Sequence, residues 1–369
     1  VRRLAATVAL ALLVACPHRP STPTVVDDPG LVDASASART PAEVLSAARS
    51  SPSPDLRARA WAAGSAGEVV AGLADPDPWV QLAVVRAVGQ DDALAAVAAD
   101  PARDPYVRAA AAVGLGGDAG LAALGDTWRT GPASDRLALT WAAFQLGAPP
   151  ARAALEELLA RGDLPLEPAF FQALSAVPDP GLAAALAQGQ ERAEEELAFT
   201  VAAARLRLGD EAAAEVLRKG LAAPDEEVRL EVLDLLVEIQ GPVADELVDR
   251  ARRDGSEFVS MYAELLTLAR AGKDAPAFAR AFESPEWEVR QLAVRFAGAA
   301  AASSVRVPRS TEKLLEAALQ DRSSVVRAEA ATAIGHLGTR TALRASLEPL
   351  LADDSPDVAV AAAVALTGP

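Results

Sequence analysis

Asp104-Pro105-Tyr106-Val107-Arg108-Ala109-Ala110-Ala111-Ala112-Val113-Gly114-Leu115-Gly116 is the stretch from which the fold can be read. Asp104 is suited to cap the first free amides of a helix. Pro105 suits the first helical position, where a missing N–H costs nothing. Val107, Ala110, Ala111 and Gly114 follow at i, i+3, i+4 and i+7, a spacing that predicts one stripe facing a core. Gly116 stands where a helix needs a residue able to turn left-handed.

The same phrase returns along the chain. Taking the first apolar residue after each cap as an anchor, the copies fall at Leu56, Val80, Val107, Leu137, Phe170, Leu197, Val228, Val259, Val289, Val326 and Val358. Their spacing averages about 30 residues, the scale of a helical hairpin. Pro stands two before the anchor at Pro54, Pro78, Pro105 and Pro356. Gly stands nine after it at Gly89, Gly116, Gly298 and Gly335, marking a helix end or a close approach of two helices. Plain Ala- and Leu-rich segments precede the anchored helices, such as 93–99 and 151–160. The middle copies, at Leu137, Phe170 and Leu197, lack the Arg, so their boundaries are less sharp.

Composition agrees with helices. Of 369 residues only 4% are aromatic, and no strand-like alternation runs through the chain. The net charge of −16 argues against a nucleic-acid partner, which requires a basic face to release counterions.

The pattern resembles the HEAT-repeat family, in the short variety also found in phycobilin-lyase-type proteins. The resemblance is carried by Asp104-Pro105-Tyr106-Val107-Arg108, Asp77-Pro78-Trp79-Val80, Glu288-Val289-Arg290 and Val326-Arg327. It implies an all-α, right-handed α-solenoid of about eleven helical-hairpin repeats over residues 40–369. Stacked in a line, the layers would make a rod or arc roughly 100 Å long. No polar capping helix follows Leu366, so the last repeat is expected to fray or to be covered by a partner.

The first residues read differently. Val1-Arg2-Arg3 is basic, and Leu4 to Ala15 is apolar or small apart from Thr7. Twelve helical residues span about 18 Å against the ~30 Å of a bilayer core, too short for a standard span. Leu13-Val14-Ala15-Cys16 resembles the bacterial lipoprotein signal. The resemblance implies cleavage after residue 15, lipidation of Cys16, and a location in the cell envelope facing the periplasm. Pro17, rather than Asp, favours the outer membrane over the inner. Residues 16–39, rich in Pro, Ser and Thr, read as a tether.

Little in the chain points to catalysis. The histidines are His18 and His336, and Cys16 is the single cysteine. No His pair for a metal, no phosphate loop and no nucleophile elbow is present in the sequence, so no catalytic residue, cofactor or metal is expected. The acidic groups Asp225-Glu226-Glu227 and Asp353-Asp354 suit helix starts; Glu194-Glu195-Glu196 is a third cluster.

Two sets of residues remain. Arg108, Arg229, Arg290 and Arg327 directly follow their anchors. They are expected to form a structural ladder, each pairing with a loop carboxylate of its own or the adjacent repeat. Trp79 and Tyr106 sit just before their anchors, and Trp287 two before its own. They are the candidates for a partner-binding ridge, since Trp and Tyr are favoured at interface centres. The expected function is a scaffold binding a protein or peptide. The alternatives are a HEAT-like lyase or cofactor handler, and a purely structural spacer.

Overall fold

A computed structural model describes residues 39–89, 91–162, 168–174, 178–191, 197–272, 276–302 and 307–368. The described chain is helical throughout, with no strand among the described residues. Its first helix, Pro41–Ala48, begins as the sequence requires. Thr40 accepts the amide of Glu43, and the Glu43 carboxylate accepts the Thr40 amide, which closes a capping box.

From there the chain alternates between two kinds of helix. The anchored helices are Pro54–Ala62, Pro78–Val88, Pro105–Leu115, Ala133–Gln145, Pro168–Leu174, Ala198–Arg207, Glu226–Leu236, Glu257–Arg270, Trp287–Ala302, Ser324–Leu337 and Pro356–Thr367. One or two helical segments precede each; the last of these, Leu343–Ala352, is a 3₁₀-helix with Pro349 inside it. The stack is an all-α solenoid of helical hairpins. In the middle copies, Leu197 stands at the cap of its helix rather than within the first turn, because no Pro or Asp fixes the start there.

The quoted stretch folds as the helix Pro105–Leu115. The Asp104 carboxylate accepts the amides of Tyr106 and Val107, and Gly116 ends the helix at φ +74°. Its buried side is broader than the expected stripe. Val107 and Ala111 are buried, but so are Arg108, Ala109 and Ala112, while Ala110 and Gly114 are only half-buried. Most anchored helices pack on a preceding helix and on the anchored helices to either side, so one narrow face stays open; Pro168–Leu174 packs mainly on Ala198–Arg207.

The solenoid does not run out as a rod or arc. Pro41–Ala48 and Pro54–Ala62 pack on the last helix, Pro356–Thr367. Val44, Leu45, Ala48, Leu56 and Ala60 share one apolar core with Val358, Ala362 and the rest of the C-terminal repeats. The end expected to fray is thus covered by the first hairpin of the same chain. The physical reason lies in curvature. Anchored helices touch their neighbours nearly all the way round, whereas the preceding helices touch one another only at some joints. The anchored helices therefore form the inner layer of a closed ring. Eleven helices spaced ~9 Å apart give a perimeter of about 100 Å and an axis-to-axis diameter of ~30 Å. Side chains reduce this to an opening on the order of 20 Å.

Ala and Gly permit the close spacing. At the register nine after the anchor, Gly116 supplies a left-handed turn, but Gly335 stays helical. A Cβ on Gly335 would stand 2.8 Å from the Ala365 Cβ, and one on Gly298 would stand 2.8 Å from the Ala333 Cβ. We expect Gly335→Val to lower stability by about 1–3 kcal/mol through overpacking. Urea denaturation checks this: an unchanged midpoint would mean that the two helices can separate without cost.

Candidate functional site

The repeated Arg residues occupy one rim of the ring, where each inner helix begins. In four copies the geometry is nearly identical. Nη1 of Arg57, Arg229, Arg290 and Arg327 donates to the two backbone carbonyls six and five residues earlier, for example Ser284 and Pro285 at Arg290. The same guanidinium reaches a carboxylate in the next repeat: Asp75, Asp254, Asp321 and Asp353 respectively, at 2.7–3.0 Å. Each of these Asp residues stands two before a helix cap and accepts the cap amide, at Asp77, Ser256, Ser323 and Ser355. One Arg thus fastens its own turn to the next.

Arg108 departs from this. The following repeat carries Gly131-Pro132-Ala133 and no Asp before its cap. Arg108 instead donates to the Ala98 carbonyl and to Thr127 Oγ1, and Asp135 lies 3.8 Å away. It is nonetheless buried. The signal for the staple was present in sequence as Asp-x-Ser or Asp-x-Asp ahead of a cap. It is legible only once the Arg shows what the Asp is for.

The three aromatic candidates do not make one ridge. Trp79 is half-buried and donates its Nε1 to Asp55 of the preceding repeat at 3.1 Å. Tyr106 packs edge-on against Phe170, with ring centroids 6.4 Å apart, in a cluster that Trp141 and Phe171 complete. Trp287 packs on the C-terminal core, in a different sector of the ring. Cys16 and the whole of 1–38 lie outside the described residues, as does Glu194-Glu195-Glu196. His336 is exposed at the end of its helix.

The open face of the inner helices follows a simple register: one residue before the anchor, then two or three and six after it. In the helices Pro78–Val88 and Pro105–Leu115 it carries Trp79, Leu82, Arg86, Tyr106, Ala110 and Val113. In the helix Glu226–Leu236 it carries Glu227, Glu231 and Asp234, continued by Glu238. Those four lie opposite the buried Val232, Leu233 and Leu236. Glu288 extends the acidic sector on the helix Trp287–Ala302, and Glu329 on the one after.

The acidic sector is tied together from helix to helix. The buried Tyr262 hydroxyl donates to Asp234, Gln291 donates to Glu329 at 3.1 Å, and Arg207 pairs with Glu238 at 2.8 Å. Burial, followed by the Asp234 charge, pushes the Tyr262 hydroxyl pKa far above its ordinary value. Burial and the neighbouring Asp234 also raise the Glu231 carboxyl. Arg295 is a second cation of this sector. Burial works against its charge, but Tyr262, Glu329, Asp234 and Glu238 outweigh that and hold its pKa up. The sector is not visible in the sequence, because its residues are separated by whole repeats and fall in the register where copies differ.

Among the described residues no group of three metal-ligating side chains comes together, and no helix is long and apolar enough to cross a membrane. A family model of HEAT repeats matches residues 275–367, which hold the last three anchors. No curated protein matches the chain. Among solved structures, an engineered protein is similar at 18% identity and a TM-score of 0.32, over 89% of this chain and 98% of its own.

The staple sets a pH dependence. At Asp321 burial raises the carboxyl, but Arg290 and the Ser323 amide overcome it, so the net pKa lies below the ordinary carboxylate value. A depressed folded-state pKa gives stability that is full above the unfolded value of about 4 and is lost as pH falls through the folded one. Both side chains are buried, at 6% and 7% exposure. Removing one partner of such a pair should therefore cost about 3–5 kcal/mol. We expect Asp321→Ala to show this loss at pH 7 and a smaller one at pH 3. Urea melts at both pH values check it, and an equal loss at both would show that the charge is not what matters.

Proposed function

We propose that this protein is a lipid-anchored scaffold of the bacterial envelope that binds a basic polypeptide segment in the opening of its ring. The observation that carries the reading is the row Glu227, Glu231, Asp234 and Glu238. It lies on the helix face turned away from the core and is compensated only in part by Arg207 and Arg295. Residues 275–367 match HEAT repeats, a class that generally mediates protein binding, which supports the coarser part of this reading. An opening on the order of 20 Å accommodates an extended chain or one helix of 10–12 Å diameter. The half-buried apolar groups Leu82 and Val113, beside Trp79 and Tyr106, would meet the apolar side of such a segment.

The chemistry of recognition is largely electrostatic. A lysine or arginine lowers the mutual repulsion of Glu231 and Asp234 and replaces their hydration. Fluorescence anisotropy with a labelled Lys/Arg-rich peptide tests this. Glu227→Gln/Glu231→Gln should weaken binding about tenfold, roughly 1.4 kcal/mol, and the difference should shrink at high salt. Trp79→Ala/Tyr106→Ala should weaken binding at every salt concentration. Wild-type affinity in both variants would count against the opening as the binding surface.

The anchor rests on Leu13-Val14-Ala15-Cys16. Two or more acyl chains, at about 0.8 kcal/mol per buried CH₂, would hold the protein stably on a bilayer. Mass spectrometry of the mature N-terminus should find Cys16 first and acylated. An unmodified Cys16 would exclude this anchor.

A further inference from the structure

Three aromatic residues stand one to a helix on three successive inner helices. Trp79 and Tyr106 share a register, one residue before the anchor, on Pro78–Val88 and Pro105–Leu115. Trp141 follows on Ala133–Gln145. It joins the ledge through Phe170, whose ring meets Tyr106 at 6.4 Å and Trp141 at 6.2 Å between centroids. All three are half-buried, so each leaves part of its ring open.

Trp141 carries an unmet demand. Its Nε1–H is shielded and finds no acceptor among the described residues, whereas the Trp79 indole donates to Asp55. A donor left in this state is costly, and native structures rarely keep one without a use. The indole is otherwise half open, so a modest turn of its ring offers the N–H to an acceptor lying across the helices.

The chain holds a segment of matching spacing. Pro17, Pro20 and Pro23 recur at every third residue in Pro17-His18-Arg19-Pro20-Ser21-Thr22-Pro23, which lies outside the described residues. Polyproline II has three residues per turn and a rise of 3.1 Å, so prolines at this spacing share one edge about 9 Å apart. Inner helices are also spaced ~9 Å apart. Laid across them, the segment sets one proline against each aromatic. Pro-x-x-Pro segments dock on aromatic-lined surfaces because a preformed helix loses little entropy on binding. Its carbonyls make no internal hydrogen bonds, so one of them can accept the Trp141 N–H.

The length of chain allows this. Thr40 follows Pro23 by 17 residues, a linker with an r.m.s. reach of about 20–25 Å. The helix that Thr40 caps packs on Pro54–Ala62, which packs on Pro78–Val88. That is two helix spacings, or ~18 Å. Effective concentration is highest where reach matches span.

We propose that residues 17–23 dock as a polyproline II helix across the aromatic ledge of the same chain, with Pro23 on Trp79, Pro20 on Tyr106 and Pro17 on Trp141. The inference stands apart from the basic-segment reading and from the acylation of Cys16.

In the full-length chain carrying Cys16→Ser, spin labels at Ser21→Cys and Gln145→Cys report the docking. Pulsed electron resonance should give one narrow distance, and Pro20→Ala/Pro23→Ala should spread it into a broad distribution. Those substitutions lie outside the ring and leave its core untouched. A broad distribution in the parent chain, or a narrow one that survives both substitutions, would overturn the proposal. Chains labelled singly at each site and then mixed should show no such distance. Its appearance would assign the ledge to the segment of a second copy and overturn docking within one chain.

A labelled peptide of residues 17–23 supplies the second test. The linker holds its own segment at an effective concentration on the order of 1 mM. The chain carrying Pro20→Ala/Pro23→Ala should therefore bind an added peptide of ~0.1 mM affinity about tenfold more tightly than the parent chain does. Adding Trp141→Phe, which keeps a ring and removes the N–H, should weaken that binding several-fold. Equal binding to parent and Pro-substituted chains, or binding to neither, would overturn the docking whether or not Trp141→Phe folds.

Discussion

One guanidinium does at each regular joint what a strand ladder does in a sheet. Arg57, Arg229, Arg290 and Arg327 each satisfy two orphan carbonyls of their own turn and a carboxylate of the next. The carboxylate in turn fixes the cap amide of the following inner helix. Helix pairs that could slide or rotate on greasy Ala surfaces are thereby indexed to one another. The planar fork of Arg suits this, since it reaches carbonyls on one edge and a carboxylate on the other.

Indexing at the rim leaves the rest of each inner helix to two demands. The side toward its neighbours must be small, which explains Ala at so many positions and Gly at 298 and 335. The side toward the opening is only half-buried or exposed and is less constrained by packing. Differences between copies collect there: Trp79 and Val113 in one sector, Glu231 and Asp234 in another. Architecture and recognition are separated by helix face, within the same helix.

The hairpins, their caps and the rim Arg residues were legible in the sequence because each depends on residues close together in the chain. Asp104 and Pro105 decide a helix start without outside help. The pairing of Arg290 with Asp321, 31 residues on, was legible in kind, because the repeat supplies the missing distance. Closure was not. Whether layers make an arc or a ring depends on small rotations summed over many joints, and no single residue carries that sum. The acidic sector was hidden for a related reason. Glu227, Glu288 and Glu329 look like unrelated surface charges until curvature turns their faces toward one another. The aromatic residues misled in the opposite direction: Tyr106 looked free because it precedes an anchor, yet Phe170 lies two anchors on and packs on it.

A closed ring brings Pro41 and Thr367 to the same part of the molecule, although most of the chain separates them. Tension applied to the segment before Thr40 is therefore not shared along the solenoid, as it would be in an open superhelix pulled from its ends. It falls first on the interface between the first hairpin and the last helix, where Val44 and Leu45 would be peeled away in turn rather than sheared together. The circular arrangement makes that interface the mechanical fuse of the protein. The stapled repeats behind it would bear load only after it has parted.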